Sequence, residues 1–312
     1  MKIVFLDAKT IGEDIDLSGF DELGEVVKYG FSTAEEARER SKDADVLVLN
    51  KVQVNEQTIG AAKHLKLVCV TATGTNNLDK EYLAKQGIEW RNVAGYSTES
   101  VAQHTFAMLF YLLEKLPYYD NYVKSEKYVN DVSFTHFAKA FHELSGKTYG
   151  IIGLGNIGRR VADIAKAFGC HVIYYSTSGR NSQPGYERVS FDELLERSDI
   201  VSIHAPLDEN TLGLMNQNAF AKMKSSAILL NVGRGPIINE ADLAEALNNR
   251  MIAAAGLDVL SVEPMQPENP LRGIKDSERL LITPHIAWAG VEARMRLMDI
   301  ILNQIKEFFV FS

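Results

Sequence analysis

Two cysteines in 312 residues leave no disulfide framework, and both stand in apolar surroundings, Cys69 in "LVCVT" and Cys170 in "GCHV". Packing in a reducing compartment is their expected role, so the expected location is the cytoplasm. The seven histidines are scattered, none at close metal-ligand spacing to a cysteine, and no metal is expected. No apolar run approaches the roughly 18 residues that cross a bilayer. The N-terminal "MKIVFLDAKT" has a lysine and an apolar run, but Asp7 closes it, so it reads as a first strand and not as a signal peptide. Excess positive charge is missing as well. A formal charge of −8 has the wrong sign for a protein that neutralises phosphates, so nucleic acid is not an expected partner.

What is present is an ordinary globular composition, 46% hydrophobic and 24% charged, at a length that suits two cores better than one. Short β-branched runs recur: "KIVFL", "DVLVLN", "LKLVCVT", then "YGIIG", "HVIYY", "IVSIHA", "AILLNV", "AAAGLDV" and "LLITPH". Most are separated by helix-like segments such as "TAEEARERSK", "NIGRRVADIAKAFG" and "INEADLAEALNNR". Alternation of this kind implies crossover connections and parallel sheets covered on both faces, hence an α/β protein with two doubly wound domains. Two long helical patterns break the rhythm and are candidate hinges. One runs from about Thr98 to Lys115, opened by Ser97 and closed before Pro117; the other is "AGVEARMRLMDIILNQIKEFFVF". The expected organisation is a domain of residues 98–287 inserted in an outer domain made of 1–97 and 288–312, with ligands bound in a cleft between them.

"YGIIGLGNIGRRVADIAKAFG" sets Gly153, Gly155 and Gly158 between a buried strand and an amphipathic helix. Such a turn lets a backbone approach a pyrophosphate at the helix N-terminus, and strand, turn, helix and next strand are all present, so a dinucleotide is the expected cofactor. Arg159 and Arg160 stand near enough in sequence to reach phosphate, although helix-surface arginines are usually solvated. The turn is normally completed by an acid about 20 positions on, which bonds the adenosine ribose. From Lys166 to Tyr186 there is no aspartate or glutamate, and Ser176 holds the expected place. Serine does not repel a 2′-phosphate, and Ser178 and Arg180 follow, the guanidinium being able to pair with one. The stretch accommodates NAD or NADP and suits NADP somewhat better.

Three further strands, in "LLNVGRGPIIN", "GLDVLSVEP" and "LITPHIAWAG", each break into a turn carrying one ionisable residue: Arg234, Glu263 and His285. In a parallel sheet the strand C-termini face the ligand crevice. Arginine between two glycines is poorly placed for packing but suits a bidentate grip on a carboxylate; its ordinary alternative is a surface ion pair worth ~0–1 kcal/mol. A lone histidine after proline, or a lone glutamate in a turn, would each be ordinary. Their recurrence at equivalent strand ends sets them apart.

These stretches, with "IIGLGNIG", "ATGTNNLD" and "VAGYSTESVAQHTFAMLF", resemble the D-isomer-specific 2-hydroxyacid dehydrogenases in order and along essentially the whole chain. The last two look most like the hydroxypyruvate reductase, or glycerate dehydrogenase, branch. The resemblance implies a Rossmann nucleotide domain inserted in a flavodoxin-like substrate domain, and a homodimer. It implies hydride transfer between NAD(P)H and C2 of a small 2-keto or 2-hydroxy acid, hydroxypyruvate or glyoxylate above all. His285 would then exchange the proton, Glu263 would hold it and favour the imidazolium, and Arg234 would bind the substrate carboxylate. Lys51, Thr73 and Gly74 would receive that carboxylate from the outer domain. Cofactor positions would be Thr73, Gly153, Gly155, Asn156, Ile157, Gly158, Ser176, Arg180, Pro206, Thr211, Val232 and Asp258, with His204 beside them. Trp288 and Tyr96 are candidate lining residues of the substrate pocket, and the aromatic segment 117–143 is a candidate interface arm. Gln103 stands where many relatives have glutamate.

A different class of function is a catalytically idle relative that binds dinucleotide and acts as co-regulator or sensor. Retention of Arg234, Glu263 and His285 together argues against it. Formate or phosphite oxidation fits less well, because relatives that oxidise formate move no proton and resemble this chain less around Glu263.

Overall fold

The computed structural model describes residues 1–180 and 183–310; Phe311, to which the C-terminal helical pattern extends in sequence, lies outside them. The chain divides into two compact units, Met1–Ser97 with Ala289–Ser312, and Thr98–Trp288. In the first, β1 (Lys2–Phe5), β2 (Glu25–Lys28), α1 (Ala34–Arg40), β3 (Val46–Leu49), α2 (Glu56–Ile59), β4 (Leu67–Val70), α3 (Lys80–Gln86) and β5 (Glu89–Arg91) follow one another. Their strands form a wholly parallel sheet in the order β2-β1-β3-β4-β5, the doubly wound flavodoxin-like arrangement. The "VLVL" of β3 and "LVCV" of β4 are buried at every position, as strands covered on both faces must be. Thr33 with Glu36, and Asn55 with Thr58, close reciprocal capping boxes that start α1 and α2.

The second unit runs α4 (Thr98–Leu113), α5 (Leu116–Lys124), β6 (Thr148–Ile152), α6 (Asn156–Ala167), β7 (His171–Tyr175), β8 (Glu187–Arg188), α7 (Phe191–Arg197), β9 (Ile200–Ile203), α8 (Gln217–Lys222), β10 (Ile228–Asn231), α9 (Glu240–Asn248), β11 (Ala254–Leu257) and β12 (Leu280–Ile282). Its parallel sheet has the order β12-β11-β10-β9-β6-β7-β8. Alternate residues along the strands feed opposite layers. Ile151 and Leu230 pack with Phe106 and Leu109 of α4 and Val161 of α6, while Ile152, Val201 and Leu229 pack with Leu194, Phe220 and Leu243. α10 (Val291–Val310) belongs to the first unit.

The α/β class and the two doubly wound sheets are as the sequence implies. Two details differ. α4 stops at Leu113, because Lys115 turns into the left-handed region (φ 55°) and Pro117 sits in the first turn of α5. Proline there opens a helix, since its missing N–H is one the first turn leaves unbonded anyway. The strands β2, β5 and β8 carry little apolar signal, being short edge strands of largely polar sequence. Among the described residues no helix is long and apolar enough to cross a membrane, and no group of His, Cys, Asp and Glu could hold a metal ion.

Candidate active site

Because every strand of the second sheet is parallel, all the carboxyl ends lie along one edge. β6, β7, β9, β10, β11 and β12 run out at Gly153, Ser176, His204, Val232, Asp258 and Thr283. From β6 the chain winds outward through β7 to β8, then returns to β9 on the other side. That reversal is a topological switch point, where an open α/β sheet leaves its ligand crevice.

The glycine turn stands at this point. Gly153 has φ 91°, and a Cβ there would lie 2.8 Å from the backbone of Ala205, so only glycine lets the β6 and β9 turns meet. A Cβ on Gly158 would lie 2.2 Å from the carbonyl oxygen of Gly153, which lets α6 press on the turn. Gly155 is different: among the described residues nothing stands within 4 Å of where its Cβ would be. It is the N-cap of α6, and no side chain caps the helix. The amides at Asn156, Ile157 and Gly158 therefore face an open cradle with the positive end of the helix dipole behind it. These features fit a dinucleotide pyrophosphate. Arg160 is paired with Glu99 at 2.8 Å, and Arg159 bonds the side chain of Asn156.

At the end of β7, Ser176 is only 4% exposed and its hydroxyl has no partner among the described residues. A buried orphan hydroxyl is costly unless a ligand completes it. Arg180 is exposed in the turn that follows, and a Cβ on Gly179 would lie 3.9 Å from Nη2 of Arg188, a second guanidinium the sequence did not single out. Beyond β9, Pro206 is exposed, but Thr211 is fully buried. Its hydroxyl donates to the Pro206 carbonyl at 2.8 Å and accepts the Asp208 amide at 2.8 Å. Thr211 thus shapes this loop from within. His204 contacts Ser202 through Nε2 at 2.9 Å, its Nδ1 is shielded without a partner among the described residues, and burial pushes its pKa down to about 3. Val232 is buried at the end of β10.

Arg234 sits in the turn after β10, half-buried, with Nη1 donating to the Gly233 carbonyl at 2.8 Å. Buried Asn231 holds the turn from inside: its Oδ1 accepts the Gly233 amide at 3.0 Å and its Nδ2 donates to the Arg234 carbonyl at 2.9 Å. A Cβ on Gly235 would lie 1.9 Å from the carbonyl carbon of Leu260, so this glycine exists to seat the Arg234 turn against the loop of Glu263. Glu240, unnoticed in the sequence, ties the same loop. It accepts the Ser261 amide at 2.7 Å and the side chain of Asn269 at 2.8 Å.

Glu263 and His285 meet directly. Glu263 Oε2 lies 2.7 Å from His285 Nδ1, while Oε1 accepts the Leu260 amide at 2.9 Å. With Nδ1 engaged by a carboxylate, Nε2 is the nitrogen left to exchange a proton. His285 itself has φ 57°, an uncommon conformation for a side-chain-bearing residue. It is held there by bonds from its amide to the carbonyls of Asp258 at 2.8 Å and Thr283 at 2.9 Å, and by Trp288 Nε1 donating to its carbonyl at 2.9 Å. Asp258, 1% exposed, spends its carboxylate on the amides of Ile286 and Ala287, both at 2.8 Å, and on the Thr283 hydroxyl at 2.6 Å. Asp258 is therefore the keel of the histidine turn.

Lys51, Thr73 and Gly74 lie in the first unit, beyond the carboxyl ends of β3 and β4. The loop of Lys51 is fixed from below by Asp7, whose buried carboxylate accepts the amides of Asn50 at 2.9 Å, Lys51 at 2.7 Å and Val52 at 3.2 Å. Asn77 adds bonds to the carbonyls of Asn50 and Val52. Burial still pushes the Asp7 carboxyl above its usual range. Thr73 donates its hydroxyl to the Val93 carbonyl at 2.8 Å. Tyr96 is buried in this unit, with its carbonyl accepting from Arg296, and does not offer an exposed ring. Gln103 is exposed on α4, and nothing in the structure explains its difference from glutamate.

An open cradle at the turn after β6 and a carboxylate-braced imidazole beyond β12, on the same edge of one parallel sheet, fit a dinucleotide-dependent acid–base catalyst. A family model described as "D-isomer specific 2-hydroxyacid dehydrogenase, NAD binding domain" matches residues 106–287. A hydroxypyruvate reductase of Blautia hydrogenotrophica is 38% identical over 317 aligned positions, covering 99% of this chain and 97% of the relative. A glycerate dehydrogenase of Methylorubrum extorquens is 33% identical, covering 98% and 96%. Among solved structures, an acyclic imino acid reductase in complex with NADPH and D-Arg superposes with a TM-score of 0.87 at 29% identity, covering 99% of this chain and 97% of that one. The chain belongs to the D-isomer-specific 2-hydroxyacid dehydrogenase family. It is an oxidoreductase with a nicotinamide-dinucleotide-binding Rossmann domain.

Proposed function

We propose that this protein reduces a small 2-keto acid to the D-2-hydroxy acid, with hydroxypyruvate and glyoxylate as the leading substrates and NADPH somewhat preferred. The observation that carries the reading is the 2.7 Å contact between Glu263 and His285 Nδ1, which leaves Nε2 available as acid in reduction and base in oxidation. The bound dinucleotide supplies the hydride. Arg234, held by Asn231 and Gly235, grips the substrate carboxylate and polarises the C2 carbonyl; Lys51, Thr73 and Gly74 of the first unit are further substrate-binding residues. His285 protonates the developing alkoxide, so no free oxyanion forms. The names of the hydroxypyruvate reductase and glycerate dehydrogenase relatives support a CH₂OH substrate over its neighbours. Neighbouring keto acids differ from it by a methylene or hydroxyl, of which a methylene is worth only ~1–3 kcal/mol of discrimination.

NADPH is favoured by the orphan hydroxyl of Ser176 and by the guanidinium groups of Arg180 and Arg188 in and beside that turn. A homodimer formed through the aromatic segment 117–143 completes the reading. No observation favours an idle co-regulator. The test is the initial rate with hydroxypyruvate, glyoxylate and pyruvate, using NADH and NADPH side by side. Hydroxypyruvate should turn over, faster with NADPH, and His285→Ala should lower the rate by about 10²- to 10⁴-fold. Ser176→Asp should shift preference towards NADH, and unchanged NADPH use in that variant would remove Ser176 from phosphate recognition. No turnover of any of the three acids would overturn the substrate class.

A further inference from the structure

Asp258 raises a question that the proposed chemistry leaves unanswered. Its carboxylate is buried, and two amides and one hydroxyl bond its oxygens without answering its charge. Among the described residues the ionisable group that approaches it is His104 of α4, whose Nε2 lies 3.6 Å from Asp258 Oδ1 and 3.0 Å from Thr283 Oγ1. The polarity of this chain follows from its distances. The Thr283 hydroxyl is 2.6 Å from Asp258 Oδ1 and must spend its proton there. Its oxygen is then an acceptor, so His104 Nε2 is the donor. A relay runs from His104 through Thr283 to Asp258, and from Asp258 to the amides on the far side of His285.

We infer that His104 is a positioning residue for His285, acting through Thr283 and Asp258 on the turn that holds the imidazole in its positive-φ conformation. The inference rests on the proposed role of His285. Thr283 is bonded to the turn at two points, its hydroxyl to Asp258 and its carbonyl to the His285 amide. Slack introduced at α4 therefore reaches the histidine backbone through one residue. Glu263 fixes the ring from the front; His104 fixes the backbone from behind.

The experiment uses His104→Leu, which removes the donor, and His104→Gln, which keeps an N–H near the Nε2 position. His104→Leu should lower kcat for 2-keto acid reduction by about 10- to 100-fold, with the dinucleotide KM held within about twofold, and His104→Gln should recover most of the loss. A second readout needs no turnover: the Nδ1–H proton of His285, hydrogen-bonded to Glu263, should give a downfield NMR resonance that broadens or moves in His104→Leu and persists in His104→Gln. Thr283→Val cuts the relay at its middle and should reproduce the effect, and it carries the test if His104→Leu does not fold. The double variant should lose no more than either single change, as members of one chain do. Unchanged kcat and an unchanged resonance in His104→Leu or Thr283→Val would overturn the inference. If the wild-type protein turns over no 2-keto acid, the proposed function fails by itself, and the resonance still decides whether His104 holds the turn.

Discussion

His204 stands at the carboxyl end of β9 with its Nδ1 shielded. Ordinary histidine titrates near 6.5, and burial brings this one down to about 3. Between those values the unfolded chain binds the proton and the folded chain does not. Stability is therefore complete above about 6.5 and is lost as pH falls through the window towards about 3. Since the residue as a whole is half-buried while Nδ1 is shielded, the slope should be smaller than full burial would give. Urea midpoints measured at several pH values across that window should fall on acidification, and His204→Gln should flatten the fall. A decline equally steep in both proteins would place the acid sensitivity elsewhere.

At the scale of the element, two loops are rigid because a distant carboxylate collects their amides. Asp7 ends β1 and gathers Asn50, Lys51 and Val52; Glu240 opens α9 and gathers Ser261 and Asn269. Asp7→Ala would strand three amides of that loop, one of them on buried Asn50, and should destabilise the protein by about 2–4 kcal/mol, since each unmade buried bond costs ~1–3 kcal/mol. If the Lys51 loop receives the substrate carboxylate, the same variant should raise the keto-acid KM more than it lowers kcat. Equal KM in a folded Asp7→Ala protein would detach that loop from substrate binding. Neither carboxylate announces its role in sequence, because the groups it serves lie 43 and 21 residues away. The strand-end positions of Arg234, Glu263 and His285 were legible for the opposite reason: each follows an apolar strand, buried in β10 and β11 and half-buried in β12, and strand ends of a parallel sheet share an edge. Gly235 and Asp258 stand between these cases. Their residue types are conspicuous, but what each serves, a backbone contact with Leu260 and the turn at Ile286 and Ala287, is set by packing that no local pattern encodes.

At the scale of the molecule, the segment after α5 is ordered by its own rings and yet turns large apolar groups outward. His136 stacks on Tyr122 with centroids 3.8 Å apart and planes 7° apart, bonds the Tyr118 hydroxyl at 2.9 Å, and is joined by Asp131, which accepts the Tyr122 hydroxyl. Outside this scaffold Phe134 and Phe137 are each 87% exposed, with Val129 and Val132 beside them in sequence and exposed as well. A monomer gains nothing from phenylalanines in water, and exposed apolar side chains of this kind suit the covered surface that the proposed homodimer requires. A second copy is the partner that requires no further component, and a twofold axis would let each copy cover the other's patch with its own. Sedimentation should then give twice the mass of one chain at micromolar concentration. Phe134→Glu combined with Phe137→Glu should give the single-chain mass with the helical circular dichroism retained, because neither ring supports the Tyr122–His136 stack. A wild-type protein that sediments as one chain would leave the patch to a different partner and remove the homodimer from the proposed reading.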